Sequence, residues 1–244
     1  MESTFVGSGG ALHALINPRA KRTRHTRHLT LLILIVTTQN RFTHTCIYAI
    51  LESMNIFYLS HNPKQAAEFH LDKHVVKMIL ETAQLLCTAH RILDGTVTQQ
   101  SKLTKTGKSR SVKRYVLSNM TNDAVMYQAT HINHPCAIWA RDSINNYMWL
   151  YELFVALCDE YTFRYGKKHK TDTLLRDILK TAPVSISHSS FTLPAQAMPP
   201  EYRNSDPVVA YQQYYIGAKS KFARWTKRPT PPWFISNKDT HANV

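Results

Sequence analysis

The residues best equipped for chemistry lie in Phe69-His-Leu-Asp-Lys-His74-Val-Val-Lys77-Met-Ile-Leu-Glu81-Thr-Ala-Gln84. Wound on a helix at about 100° per residue, His70, His74, Lys77, Glu81 and Gln84 share a stripe about 80° wide. Val75, Val76, Ile79, Ala83 and Leu86 fall on the other side, so the period is helical. Solvated faces usually alternate Glu, Lys and Arg. This one carries two imidazoles, an ammonium, a single carboxylate and an amide. One chemistry can be read from types and spacing alone: His70, His74 and Glu81 form a candidate facial metal set for hydrolysis. The plain alternative is a wet helix face with Lys77 pairing to Glu81 at i,i+4.

The elements that must position this stripe follow from caps and breakers. Asn62 reads as an N-cap, with Pro63 at the first helical position and Gln65 as capping-box partner. The helix is expected to run to about residue 93 and stop at Asp94-Gly95, with a kink near Leu71-Asp72. Residues 55–60 are β-prone or extended. Residues 95–114 are expected to form a flexible loop, and residues 115–130 a short helix or strand. Asn133-His134-Pro135 fixes a turn before a helix over 137–165, ended by Gly166 and the cations after it. A short helix is expected over 171–180, a proline-rich loop over 182–207 and a last helix over 207–226. The basic end of that helix leads into Arg228-Pro-Thr-Pro-Pro-Trp233-Phe234, a tail that either clamps a groove or packs on the core through Trp233. The fold is therefore expected to be mainly α, a single helical domain on one long central helix (residues 54–244), behind an irregular N-terminal extension (residues 1–53).

The 244-residue chain has a formal net charge of +14 and a pI of about 9.7. Such a balance points to a polyanion, nucleic acid first and an anionic membrane surface second. Lys102, Lys105, Lys108, Arg110, Lys113 and Arg114 fall in a stretch, 95–122, that holds no acidic residue. It is either a phosphate-contacting loop or a surface insertion that shares the general basicity. Cys46, Cys87, Cys136 and Cys158 make no CxxC pair, which excludes a zinc-ribbon pattern, and a reducing compartment is expected. In residues 1–53 a basic run precedes an apolar stretch, 29–36, about half a bilayer span. A signal anchor, a basic arm and an upstream extension with translation starting at Met54 all fit, and the last is preferred. Residues 54–244 keep a net charge of +10.

Three separated pieces, in one order, resemble the small helical pyrimidine-dimer DNA glycosylases of bacteriophage, the endonuclease V type with abasic-site lyase activity. Leu71-Asp-Lys-His74 followed by Glu81 is similar to that family's Asp-x-His and catalytic glutamate. Asn133-His134-Pro135-x-x-x-Trp139, leading to Arg164-Tyr165-Gly166, resembles a His-led helix with an Arg-Gly-aromatic end. Met198-Pro-Pro-Glu-Tyr-Arg-Asn204, Lys221 and Arg228-Pro-Thr230 before Trp233 resemble its C-terminal run. The start at Met54-Asn-Ile-Phe-Tyr-Leu also resembles proteins of phages and large DNA viruses. The resemblance implies Glu81, His74 and the α-amine of Met54 as catalytic groups. It implies His70, Lys77, Lys108, Arg110, Lys113, Arg114, His134, Arg141, Arg224, Arg228 and Trp233 as DNA contacts. It implies a monomer on duplex DNA, with no metal, no small-molecule cofactor and no membrane, working inside the host cytoplasm or nucleus. A basic, non-enzymatic DNA-binding or virion-associated protein is the alternative. The chain departs from the family at its start and beside its glutamate: Met54-Asn55 stands where an N-terminal threonine supplies the amine, and Leu80 and Gln84 stand where arginines flank the glutamate.

Overall fold

The computed structural model describes residues 54–235; the expectations for residues 1–53 lie outside them. The fold is mainly α. In chain order the elements are α1 (Pro63–Phe69), α2 (Asp72–Asp94), β1 (Thr96–Leu103), β2 (Ser109–Val116), α3 (Met120–Val125), α4 (Pro135–Asp142), α5 (Ile144–Tyr165), α6 (Lys170–Leu179), α7 (Pro207–Tyr214) and α8 (Pro232–Ile235).

α2 is the axis, with α4, α5 and α6 packed against it. Val75, Met78, Ile79, Leu85 and Leu86 of α2 meet Leu150, Leu153, Phe154 and Leu157 of α5 in one buried cluster. The expected kink is a full break. α1 ends at Phe69, His70 and Leu71 are extended, and α2 starts afresh at Asp72. The carbonyls freed at the end of α1 find partners elsewhere in the chain, as helix ends require. Arg164 donates to Glu68 and His70, and Trp225 Nε1 donates to Phe69. Asn62 does cap α1, accepting from the Gln65 amide. The capping box is relayed: the Ser60 hydroxyl donates to Gln65 Oε1 and accepts from the Asn62 amide.

The helix expected over 137–165 is two helices. Ser143 is extended between them, and its hydroxyl caps α5 at Asn146. Gly166, at φ 69°, closes α5 in the left-handed conformation that glycine adopts freely. The last long helix is shorter than expected. It is α-helical only over Pro207–Tyr214, then widens into a π turn at Tyr215–Lys219 and tightens at Ser220–Phe222.

The largest difference is at 95–114, which is not a loop. β1 and β2 pair antiparallel from Thr96↔Val116 to Leu103↔Ser109. Both faces of this ribbon are largely exposed, so its sequence lacks the alternation that betrays a half-buried strand. Its base is held by the buried Arg91, which donates to the carbonyls of Tyr115, Asp123, Met126 and Tyr127 and to the Asp123 carboxylate. At Gly95 a Cβ would lie 2.3 Å from the Arg91 carbonyl oxygen and 3.2 Å from the Tyr115 Cβ. Gly95→Ala is expected to cost about 1–3 kcal/mol by forcing these apart. Hydrogen exchange should show the loss first in β1 and β2; unchanged protection there would contradict it.

Candidate active site

Most of the polar stripe is turned inward. His70, just ahead of α2, and His74 and Glu81 within it are buried, whereas Lys77 leaves the stripe for the open face with Lys73, Val76 and Leu80, Val76 and Leu80 each 39% exposed. Two distant segments cover the stripe. One is residues 54–60, an irregular run buried along its length rather than a paired strand. The other is the π turn, which carries Tyr215. π turns often serve to aim one side chain.

Glu81, 6% exposed, is the centre of the arrangement. Its Oε1 lies 2.9 Å from Lys77 Nζ, and its Oε2 accepts from the Asn55 amide at 3.4 Å. Burial raises its pKa above the usual carboxylate range, with Lys77, the Asn55 amide and His131 pulling back. A buried carboxylate beside an ammonium can stabilise a cation and exchange protons. Met54, also buried, precedes the Asn55 contact by one residue. Asn55 is held by its own side chain, which accepts from the Ile56 and Phe57 amides and donates to the Ala197 carbonyl.

Two of the non-glycine residues at positive φ lie near the stripe: Phe57 at 49°, against His74, and His131 at 48°, close enough to act on Glu81. Bulky residues reach that region only under constraint, and such strain concentrates at working sites. At Phe57 it lays the ring flat on His74, centroids 4.4 Å apart. At His131 it brings an exposed imidazole, bonded to the Thr130 hydroxyl at 2.8 Å, toward Glu81. Sequence reasoning passed over His131 because nothing in its spacing links it to α2. The only local hint is the Asn133-His134-Pro135 turn that follows.

His74 has its Nδ1 at 2.6 Å from the Tyr215 hydroxyl. Burial pushes its pKa down to about 2, helped by His70, Lys219 and Lys77. It is a neutral ring sandwiched at the site, not a cation for a phosphate. His70 is fully buried, its Nδ1 donates to the Ala66 carbonyl at 2.6 Å, and burial pushes its pKa down to about 4. Direct DNA contact by His70 is therefore corrected: it packs the α1–α2 break. Nor do His70, His74 and Glu81 converge. Among the described residues no three His, Cys, Asp or Glu side chains are placed to share a metal ion.

The remaining expected contacts divide. Lys77, Lys108, Arg110, Lys113, Arg114 and Arg224 reach the surface, Arg114 in part. His134 is buried, and its Nδ1 accepts from the Cys136 amide as the N-cap of α4. Arg141 donates to the Ile132 carbonyl and so fixes the same turn. Arg228 is paired to Glu160 at 2.8 Å and Glu68 at 3.4 Å and lies over Phe163. Trp233 packs edge-on against Phe69 and Tyr215. Burial corrects His134 from a DNA contact to a capping group; Arg141, Arg228 and Trp233 are half-exposed and already engaged within the fold. Cys87, Cys136 and Cys158 are free and buried. Among the described residues no helix is long and apolar enough to cross a membrane. The chain matches no family model, no curated protein and no solved structure.

Proposed function

We propose that the chain is a DNA glycosylase with abasic-site lyase activity on damaged pyrimidines, centred on Glu81. The observation that carries this proposal is the buried Glu81 carboxylate, held between an amine, Lys77, and the backbone one residue after Met54. A neutral amine attacks the deoxyribose C1′, the C1′–N bond breaks, and the base leaves with the electron pair and takes up a proton. The sugar ring opens to a cationic Schiff base. Glu81 stabilises that cation and relays the C2′ proton as the 3′ phosphate departs. The target nucleotide must first leave the stack, and its unstacking is least costly at a damaged step. The net charge supplies the compensating phosphate attraction.

Two amines compete for the attack. In a chain that starts at Met54, the α-amine is one residue from the Asn55–Glu81 contact, and the reference pKa of an α-amine, about 7.7–8.0, leaves a neutral fraction at physiological pH. Lys77 is already in place but spends its charge on the Glu81 ion pair, which favours the α-amine. Borohydride trapping on abasic-site duplex DNA tests this with chains beginning at Met1 and at Met54, each with and without Lys77→Gln. The adduct is expected from the Met54 chain and is expected to survive Lys77→Gln. Loss of the adduct in Lys77→Gln would move the nucleophile to Lys77. Failure of every form to trap would leave only the alternative of a non-enzymatic DNA-binding protein.

A further inference from the structure

The β1–β2 ribbon is a charged arm whose construction exceeds what the Glu81 site needs. Its eight-residue strands reach roughly 26 Å. Residues 101–111 are exposed throughout, so no core holds the far half. A two-stranded hairpin without a packed face is marginal in water. The register sorts its side chains into two unlike faces. Thr98, Gln100, Lys102, Arg110, Val112 and Arg114 lie on one. The other holds a single cation, Lys113, and partly satisfies itself through the Ser111–Gln99 bond at 2.7 Å. On the first face Lys102 stands directly opposite Arg110. Like charges so placed destabilise a hairpin unless an anion lies over them. Among the described residues none of the six ribbon cations pairs with a carboxylate.

We infer that this ribbon enters the major groove of B-form DNA with its Lys102–Arg110–Arg114 face toward the base edges, to one side of the nucleotide held at Glu81. The inference rests on the proposed action on DNA and adds the mode of binding. The B-form major groove, about 12 Å wide, admits a two-stranded ribbon. Its floor offers acceptor pairs for Arg and Lys and a donor–acceptor pair for Gln. The major groove of duplex RNA is too deep and narrow for such an arm. The anchor is firm: Arg91 and Gly95 tie the ribbon base to the end of α2. That end lies thirteen residues beyond Glu81, roughly 20 Å along the helix. The ribbon base therefore stands roughly 20 Å from Glu81, so its contacts fall on duplex flanking the target nucleotide rather than at it.

The test uses the full chain on a duplex of about 30 base pairs with a central tetrahydrofuran abasic analogue, probed by dimethyl sulfate and by affinity at several salt concentrations. Wild type is expected to protect guanine N7 on one flank. The triple variant K102Q/R110Q/R114Q should lose that protection, while its log affinity–log salt slope changes by less than the roughly 2.7 that three lost phosphate contacts would give. Lys113→Gln, on the opposite face, should retain the protection. A duplex RNA of equal length should not compete. The inference fails if wild type protects only adenine N3 in the minor groove. It also fails if the triple variant keeps the protection, if Lys113→Gln erases protection as fully as the triple variant, or if duplex RNA competes equally. In those cases binding to the analogue itself continues and the base-excision proposal stands. No binding of wild type to the duplex would overturn both.

Discussion

Glu81→Gln is expected to lower turnover about 10²–10⁴-fold, the usual contribution of a positioned acid–base group, while DNA affinity stays near that of wild type. Gln keeps the shape and still accepts from the Asn55 amide. It cannot balance a cationic sugar or carry a proton. Single-turnover cleavage of an abasic duplex, set beside binding of the same duplex, separates the two effects. Equal losses in both would give Glu81 a structural role only. Stability supplies an independent sign. Burial raises the Glu81 pKa in the folded state, so the folded chain holds that proton more tightly than the unfolded one. The resulting stabilisation is present below the unfolded pKa and is lost as pH rises through the folded pKa. At neutral pH wild type carries the cost of a buried charge, and Gln does not. The variant should therefore melt at or above the wild-type temperature near pH 7, with its advantage shrinking toward acid. A site that trades stability for function shows this pairing of lower activity with equal or higher stability.

Much of this site was legible before the fold was known, but its orientation was not. The helix period placed His70, His74, Lys77 and Glu81 on one stripe, and the same turn signals ended α2 at Asp94 and α5 at Gly166. A helical wheel gives faces; it does not say which face is covered. The cover comes from partners far along the chain: Tyr215 meets His74 across 141 residues, and Asn55 meets Glu81 across 26. Nothing local to α2 encodes either contact. Ser143 shows a subtler limit. Its capping hydroxyl splits one apolar run into α4 and α5, although the hydrophobic pattern continues across it. The ribbon was missed for the opposite reason. Its Lys, Ser and Thr residues resemble a loop because neither face needs apolar side chains. The tail was legible as an alternative, and packing prevails: Trp233 faces Phe69, and Arg228 is held by Glu160 and Glu68.

Arg164→Leu should be the most damaging single change to the fold, costing about 3–5 kcal/mol, the range for stranding one side of a buried ion pair. Arg164 is 3% exposed. It donates to Glu160 at 2.7 Å, to Asp72 at 2.8 Å, and to the carbonyls of His70 and Glu68 at 2.9 and 3.0 Å. Its carboxylates do further work: Glu160 holds Arg228, and Asp72 accepts from the Thr226 amide and hydroxyl. One guanidinium thus joins the α1–α2 break, the end of α5 and the strap at 226–228. Leucine would fill much of the volume but leave those carbonyls without this donor. For a chain of this size the midpoint should fall on the order of 10 °C. The pH dependence identifies the cause. Burial alone would raise the pKa values of Asp72 and Glu160. Thr226 and Arg164 at Asp72, and Arg228 and Arg164 at Glu160, more than offset it, so both are lowered. Their stabilisation is present above the unfolded pKa and disappears as pH falls through the folded pKa. The gap between wild type and Arg164→Leu should therefore be widest near neutrality and close in acid. A pH-independent gap would mean that lost packing, not the ion network, accounts for the destabilisation.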